Sequence, residues 1–103
     1  MTRYARRTDA NHSSIRDGLR ADGWEVDDIS GMGDGAPDLV LRLAPGVPHF
    51  FEIKDGSKPP SQRRLTKAQE RWHFYCWQIT SKVTSLAEAR DALRRLAESD
   101  QGR

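Results

Sequence analysis

The chain has 103 residues, of which 36% are hydrophobic and 31% are charged, and its formal net charge is +2. We therefore expect one domain with one core and no membrane-spanning helix, because the longest apolar runs fall far short of about 20 residues. The lone cysteine, Cys76, excludes an internal disulfide framework and a multi-cysteine zinc site, and the basic start has no apolar run behind it. A reduced, cytoplasmic setting without a secretory signal is expected.

The charges are segregated along the chain. Residues 1–20 carry five arginines and two acids, residues 22–38 carry six acids and no base, and residues 54–71 carry six bases and two acids. Basic segments around an acidic middle suit a polyanion held on both sides of a cation-binding centre. A solvated surface of mixed sign is the alternative, and charge alone does not decide between them.

The first half of the chain predicts an arm, a helix and a strand. Residues 1–8 are expected to form a flexible basic arm, followed by a helix over 9–22 that Asp9 caps. His12, Ile15 and Leu19 recur at spacings of three and four on one face of that helix. A strand over 24–29 follows, and then a loop, because residues 31–35 contain three glycines.

Two apolar runs, residues 37–43 and 48–54, surround a Pro45-Gly46 pair that is typical of a turn. They predict a hairpin of two buried strands. A polar loop over 55–64 then leads to a helix over 66–76, where Thr66 and Gln69 have capping-box spacing.

A short strand over 78–83 and a second capping box, Ser85 to Glu88, complete the pattern. The last helix repeats Leu86, Ala89, Leu93 and Leu96 on one face. The order α-β-β-β-α-β-α predicts an α/β fold, with helices packed on a small mixed sheet, as one domain over 9–99 and a tail over 100–103. The three tryptophans are expected in the core rather than as base-stacking platforms; they are Trp24, Trp72 and Trp77.

Two carboxylates stand in apolar strands, where an unpaired carboxylate costs several kcal/mol. Asp38 opens the first strand of the hairpin and Glu52 interrupts the second. Because strand side chains alternate, Glu52 and Lys54 project from one face, and pairing of the strands brings Asp38 beside them. The alternatives are an acid at the strand start that caps local backbone groups for Asp38, a buried ion pair with an arginine for Glu52, and a solvated strand end for Lys54.

Two clustered carboxylates suit Mg²⁺ or Mn²⁺, with the backbone carbonyl of Ile53 as a further ligand. Such a cation lowers the pKa of bound water and neutralises charge on a phosphate oxygen. Lys54 beside it can orient or help deprotonate the attacking water.

Pro37-Asp38, followed after a gap by Glu52-Ile53-Lys54, resembles the PD-(D/E)XK nuclease signature. Over roughly residues 9–97 the chain is similar to the small VRR-NUC and Holliday-junction-resolvase-like nucleases, many of them phage-encoded in bacterial hosts. The resemblance implies a restriction-endonuclease-like core, metal ligation by Asp38 and Glu52, and a catalytic Lys54. It also places Gln69 at the edge of the active site, although the capping box explains a glutamine there equally well.

The first helix departs from that pattern, because related nucleases often direct a glutamate from it towards the metals. Here the inward positions are Asn11 and His12. His12 is then either a weak ligand or phosphate contact, or a structural histidine. The expected nucleic-acid contacts are these two residues and seven basic ones, namely Arg3, Arg6, Arg7, Lys58, Arg63, Arg64 and Lys67.

The sequence therefore predicts a Mg²⁺- or Mn²⁺-dependent DNA endonuclease. So short a chain leaves no room for a separate sequence-reading domain, which favours branched or otherwise structured DNA as the substrate. Symmetric cleavage of two strands favours a homodimer. An inactive nucleic-acid-binding module of the same fold is the first alternative, and an interaction domain with ordinary salt bridges is the second.

Overall fold

A computed structural model describes residues 10–101, and the side chains of residues 10–98. Within that range the elements follow the predicted order, which confirms the α/β class. They are α1 (His12–Ala21), β1 (Val26–Asp28), β2 (Leu39–Ala44), β3 (Val47–Ile53), α2 (Lys67–Cys76), β4 (Thr80–Val83) and α3 (Leu86–Gln101), with 3₁₀ turns at Pro60–Gln62 and Trp77–Ile79. The predicted arm at 1–8, the Asp9 cap and residues 102–103 lie outside the described residues.

The four strands form one mixed sheet in the order β1-β2-β3-β4. β2 pairs antiparallel with both β1 and β3, and Leu39 lies opposite Phe51. Gly46 has a φ of +79°, a value that glycine adopts without strain, in the turn of the β2–β3 hairpin. β4 pairs parallel to β3, because α2 crosses over the sheet between them. The predicted hairpin is confirmed.

One face of the sheet carries the apolar core. Leu39, Leu41, Phe51, Ile53 and Val83 alternate onto this face and are buried. They form one cluster with side chains from α1 and α3, which are Ile15, Leu19, Ala89 and Leu93. The predicted apolar stripes of both helices are therefore confirmed.

The opposite face of the sheet meets α2. Phe50 packs its ring edge-on against Trp72 at a centroid distance of 5.6 Å. Glu52, two residues further along β3, accepts a hydrogen bond from Gln69 of the same helix. The strand alternation therefore separates the two layers: apolar contacts hold α1 and α3, whereas polar and aromatic contacts hold α2.

Backbone hydrogen bonds end α1 and shorten β1 relative to the predicted strand. The N–H groups of Gly23 and Trp24 donate to the carbonyls of Arg20 and Leu19, which is a Schellman closure, and Gly23 has the required positive φ of 99°. Trp24 is thus bound to the helix end rather than to the sheet. At the other end, Asp28 Oδ1 accepts from Ser30 N at 3.0 Å, which turns the chain out of the strand.

Two further expectations need correction. Trp77 was expected in the core, but it is 69% exposed and lies in the 3₁₀ turn after α2. In the second capping box, Ser85 Oγ accepts from Glu88 N as predicted, whereas Glu88 Oε1 accepts from Thr84 N instead of Ser85 N. No helix within the described residues combines the length and apolar character needed to cross a membrane.

Candidate active site

Asp38 is held in position by both its backbone and its side chain. Its N–H donates to Phe51 O at 3.0 Å, and its carbonyl accepts from Ile29 N at 2.9 Å. Its Oδ2 accepts from Ile53 N at 2.8 Å, a donor that would otherwise seek a backbone acceptor on β2. The residue is 4% exposed. These contacts fix the carboxylate at the end of the β2–β3 ladder.

Glu52 and Lys54 are connected through the amide of Gln69. Gln69 Nε2 donates to Glu52 Oε2 at 3.2 Å, and Gln69 Oε1 accepts from Lys54 Nζ at 2.8 Å. Glu52 is only 2% exposed, whereas Lys54 is half-buried and reaches the surface. The amide therefore connects an anionic and a cationic side chain.

Asp38 and Glu52 lie near the same end of the β2–β3 hairpin. Strand pairing ends with Leu39 opposite Phe51, and the Asp38 N–H also donates to Phe51 O, so Asp38 does not continue the regular register. Its carboxylate instead accepts from the N–H of Ile53, the residue after Glu52, while Gln69 connects Glu52 with Lys54. The convergence of residues 38, 52 and 54 on one cation stays a prediction.

Gln69 serves two functions that seemed to be rival explanations for its presence. Its N–H donates to Thr66 Oγ1 at 3.2 Å, and its Oε1 accepts from Thr66 N at 2.9 Å, which completes the capping box of α2. The same Oε1 accepts from Lys54, and the NH₂ group remains for Glu52. The first turn of α2 and the candidate site therefore share one side chain.

Asn11 and His12 are used inside the fold. Asn11 Nδ2 donates to the carbonyls of Lys54 at 3.0 Å and Thr84 at 2.6 Å, and so connects the ends of β3 and β4. His12 is 4% exposed, and its Nε2 lies 2.9 Å from Asp28 Oδ2. These contacts favour structural roles for both residues over the expected contacts with nucleic acid.

Asp28 holds His12 in position through a hydrogen bond. Burial raises the pKa of Asp28, but hydrogen bonds from Ser30, His12 and Arg16 outweigh burial and hold that pKa well below its usual range. The carboxylate is thus ionised and acts only as an acceptor, so His12 Nε2 carries the proton of this bond. His12 Nδ1 then faces Asp38, 4.0 Å from Oδ1.

The donor set fits a divalent cation of the Mg²⁺ type. Asp38 and Glu52 supply carboxylate oxygens, and the Ile53 carbonyl lies on the same side of β3 as the N–H that Asp38 accepts. Hard oxygen donors of this kind suit Mg²⁺ or Mn²⁺. Among the described side chains, no three histidines, cysteines or carboxylates come together as a metal-holding group.

Basic residues line the segment between Lys54 and Gln69. Of the predicted contacts, Arg63 is half-buried, and three others are exposed, namely Lys58, Arg64 and Lys67. Burial, with Lys82 and Lys54 nearby, lowers the pKa of His73, so this ring is neutral near pH 7. The positive charge beside the site thus comes from lysine and arginine. Arg3, Arg6 and Arg7 lie outside the described residues.

Two contacts that shape the site were missed by sequence reasoning. The Asn11 side chain bonds to carbonyls 43 and 73 residues away, a relation that no local pattern reveals. Gly35, with a φ of +82°, packs so closely on α2 that an added Cβ would lie 2.4 Å from the carbonyl carbon of Ala68. From the glycine-rich stretch the sequence predicted a loop, but not this second contact.

Comparison of the chain with protein-family models, with characterised proteins and with solved structures finds no match.

Proposed function

We propose that this protein is a metal-dependent DNA endonuclease with a PD-(D/E)XK active site and a restriction-endonuclease-like core. The observation that carries the proposal is that Asp38 accepts a hydrogen bond from Ile53 N, next to Glu52, and that Gln69 connects Glu52 to Lys54. The element order and the mixed sheet, in which a hairpin is followed by a parallel fourth strand, agree with such a core.

Each residue has a role that follows from its contacts. Asp38, Glu52 and the Ile53 carbonyl would hold Mg²⁺ or Mn²⁺, which when bound activates water and neutralises charge on the scissile phosphate. Lys54 orients the attacking water and stabilises the negative charge that develops on the phosphate. Gln69 is a positioning residue, because its amide fixes Lys54 relative to Glu52. Hydrolysis then leaves a 5′-phosphate and a 3′-hydroxyl.

The substrate is DNA that the protein recognises through shape. The basic segment from Lys58 to Lys67 starts four residues after Lys54 and ends two residues before Gln69, so it lies next to the candidate site. Phosphate contacts of this kind position a duplex but carry no sequence information. Branched DNA therefore remains the favoured substrate. A homodimer would provide two active sites, one for each strand that is cut.

One observation favours the inactive binding module as a second candidate. In the described part of α1 the inward residues are Asn11 and His12, and both are engaged in hydrogen bonds within the fold. α1 thus directs no carboxylate from these positions to the site. A nucleic-acid-binding protein of the same fold needs only the basic segment.

The deciding experiment incubates the protein with a labelled four-way junction, flap, linear duplex and single strand, each with Mg²⁺, with Mn²⁺ or with EDTA. We expect metal-dependent cleavage of a branched substrate, and its loss in Asp38→Asn and Glu52→Gln. Thermal melts with and without metal accompany it, because selective binding to the native state raises the midpoint. DNA binding without cleavage of any substrate would support the inactive module instead.

A further inference from the structure

The outer face of α2 carries large aromatic side chains that the fold does not cover. Phe74 is 73% exposed and Tyr75 is 77% exposed. Their rings meet edge-to-face at a centroid distance of 5.0 Å, which holds the pair in a defined arrangement. Both belong to the helix whose first turn contains Gln69, and the last turn of that helix therefore presents an aromatic pair to solvent.

Two shallow cavities flank this pair and share two residues, Arg71 and Tyr75. One, of about 390 Å³, is lined by Asp34, Ala68, Arg71, Trp72, Tyr75 and Cys76. The other, of about 510 Å³, is lined by Lys67, Glu70, Arg71, Phe74 and Tyr75. Volumes in this range accommodate small planar groups. Arg71 and Tyr75 are four residues apart and lie together on one helix face.

The basic segment next to the aromatic pair favours a polyanion over a second copy of the chain. Lys67 and Arg71 line the cavities together with the acids Asp34 and Glu70, so the linings themselves are balanced in charge. The excess of positive charge lies in residues 58–71, which carry five bases and one acid. Protein interfaces are enriched in aromatic side chains and arginine but depleted in lysine, whereas surfaces that bind single strands combine cations with exposed rings. Arg71 is placed to contact a phosphate while Tyr75 stacks on the adjoining base.

The spacing along α2 relates this surface to the candidate site. Tyr75 lies six residues after Gln69, which corresponds to about 9 Å along the helix axis and to about 120° around it. Gln69 is buried against the sheet, whereas Tyr75 faces solvent. A strand whose phosphate lies at Asp38 and Glu52 therefore passes around part of α2 before it presents an unpaired base to Tyr75.

We infer that the surface formed by Lys67, Arg71, Phe74 and Tyr75 stacks and binds unpaired bases of single-stranded DNA next to the cleavage site. The inference rests on the proposed function and narrows its substrate to DNA with a single-stranded segment beside the cut, such as a flap or an open junction. Every base has a π-face, so this surface distinguishes single-stranded from double-stranded DNA rather than one base sequence from another.

The test measures binding of the full chain to a fluorescently labelled single-stranded oligonucleotide and to the matching duplex, both in EDTA so that no cleavage occurs. We expect Tyr75→Ala to weaken single-strand binding by about 5- to 150-fold, the range for loss of one stacking contact, while duplex binding changes little. Tyr75→Phe should keep the ring and the affinity. Arg71→Ala should lower the salt dependence of binding by about one phosphate contact.

Val47→Ala is the matched control, because Val47 is exposed at the hairpin turn and lies away from α2. Unchanged single-strand affinity in Tyr75→Ala would overturn the inference. It would also be overturned if sedimentation showed a dimer that Phe74→Ala/Tyr75→Ala dissociates, with single-strand binding unaffected. Tyr75-dependent binding by a protein that cleaves none of the substrates would instead remove the proposed activity and keep the stacking surface.

Discussion

Asp38 replaces a backbone acceptor for Ile53. Its Oδ2 accepts the Ile53 N–H at 2.8 Å at the point where main-chain pairing between β2 and β3 stops. A strand end that would otherwise leave a buried donor without a partner is satisfied by a carboxylate. The same side chain thus completes the sheet and supplies an oxygen to the candidate metal site, and these two uses fix its position.

The role proposed for Lys54 predicts a loss of chemistry without a loss of binding. Lys54→Ala should lower cleavage by about 10²- to 10⁴-fold, the usual contribution of a positioned acid–base group. Arg42→Ala is the matched control, because Arg42 is an exposed cation towards the opposite end of the β2–β3 hairpin from Lys54. Cleavage rates and junction affinities of both variants give the comparison. Equal cleavage by Lys54→Ala and the wild type would contradict the assignment.

Alanine substitutions at Gln69 and Thr66 distinguish the effect of helix capping from the effect of positioning the site. Thr66→Ala removes only the cap acceptor and should cost about 1 kcal/mol of unfolding free energy, with cleavage largely kept below the melting range. Gln69→Ala keeps the bond to that acceptor, because its donor is a backbone N–H, but removes the reciprocal bond from Thr66 N and the contacts with Glu52 and Lys54. We therefore expect a similar loss of stability and a much larger loss of activity. Urea unfolding and cleavage rates measure the two quantities, and parallel losses of activity in both variants would refute the positioning role.

Alanine substitutions at Gly35 and Gly33 distinguish the stability cost of backbone strain from the cost of close packing. Both have positive φ, +82° and +75°, but only Gly35 faces the backbone of Ala68; around Gly33 an added Cβ meets nothing within 4 Å. Gly33→Ala should destabilise by about 1–2 kcal/mol, the cost of a left-handed alanine. Gly35→Ala should lose about 1–3 kcal/mol more, because the loop must move off α2. Denaturant melts of the pair provide the test, and equal losses would show that the contact with Ala68 is unimportant.

Acid sensitivity should depend in part on His49. Burial lowers the pKa of His49, so the unfolded chain takes up this proton before the folded chain does. The stability from the neutral ring is present above the unfolded pKa of about 6.5 and is lost as the pH falls through the folded pKa. The free energy of unfolding should therefore decrease from pH 7 to pH 5.

His49→Gln keeps a donor for Ser81 Oγ, which His49 Nε2 approaches at 2.9 Å, but it removes the titrating ring. The variant should show a shallower pH dependence in urea unfolding at pH 7, 6 and 5. Part of the slope should remain, because the pKa of His73 is also lowered. An unaltered pH dependence of the unfolding free energy in the variant would mean that His49 does not cause the loss of stability at acid pH.

The sequence predicted the hairpin because it depends on local rules, namely alternation along each strand and a Pro-Gly turn between them. The register does not follow from the turn alone, because Ala44 lies opposite Val47 whereas Leu39 lies opposite Phe51, and an irregularity between Arg42 and Ala44 shifts the pairing by one residue. The prediction that Trp77 lies in the core was wrong, because the exposed fraction of a residue after a helix end depends on which layer covers it. α2 packs Trp72 against Phe50, and Trp77 lies beyond that contact.

The contacts of Asn11 could not be predicted for a different reason. Its two acceptors belong to residues that the chain brings together only after the sheet and both flanking layers are formed. Gln69 illustrates a third case, since capping and site positioning were treated as alternatives. A primary amide has a carbonyl oxygen with two lone pairs and two N–H groups, and so it satisfies both demands at once.

The polar segment 55–65 begins directly after Lys54 and ends at the cap of α2, and both of its ends are fixed to Gln69. Within the segment, the Arg63 carbonyl accepts from Lys82 Nζ, and Gly56 packs closely on Thr84. Loops of other sequence that keep these two contacts can be grafted between the anchored ends, which would change the charge beside the candidate site while Lys54 and Gln69 stay in place.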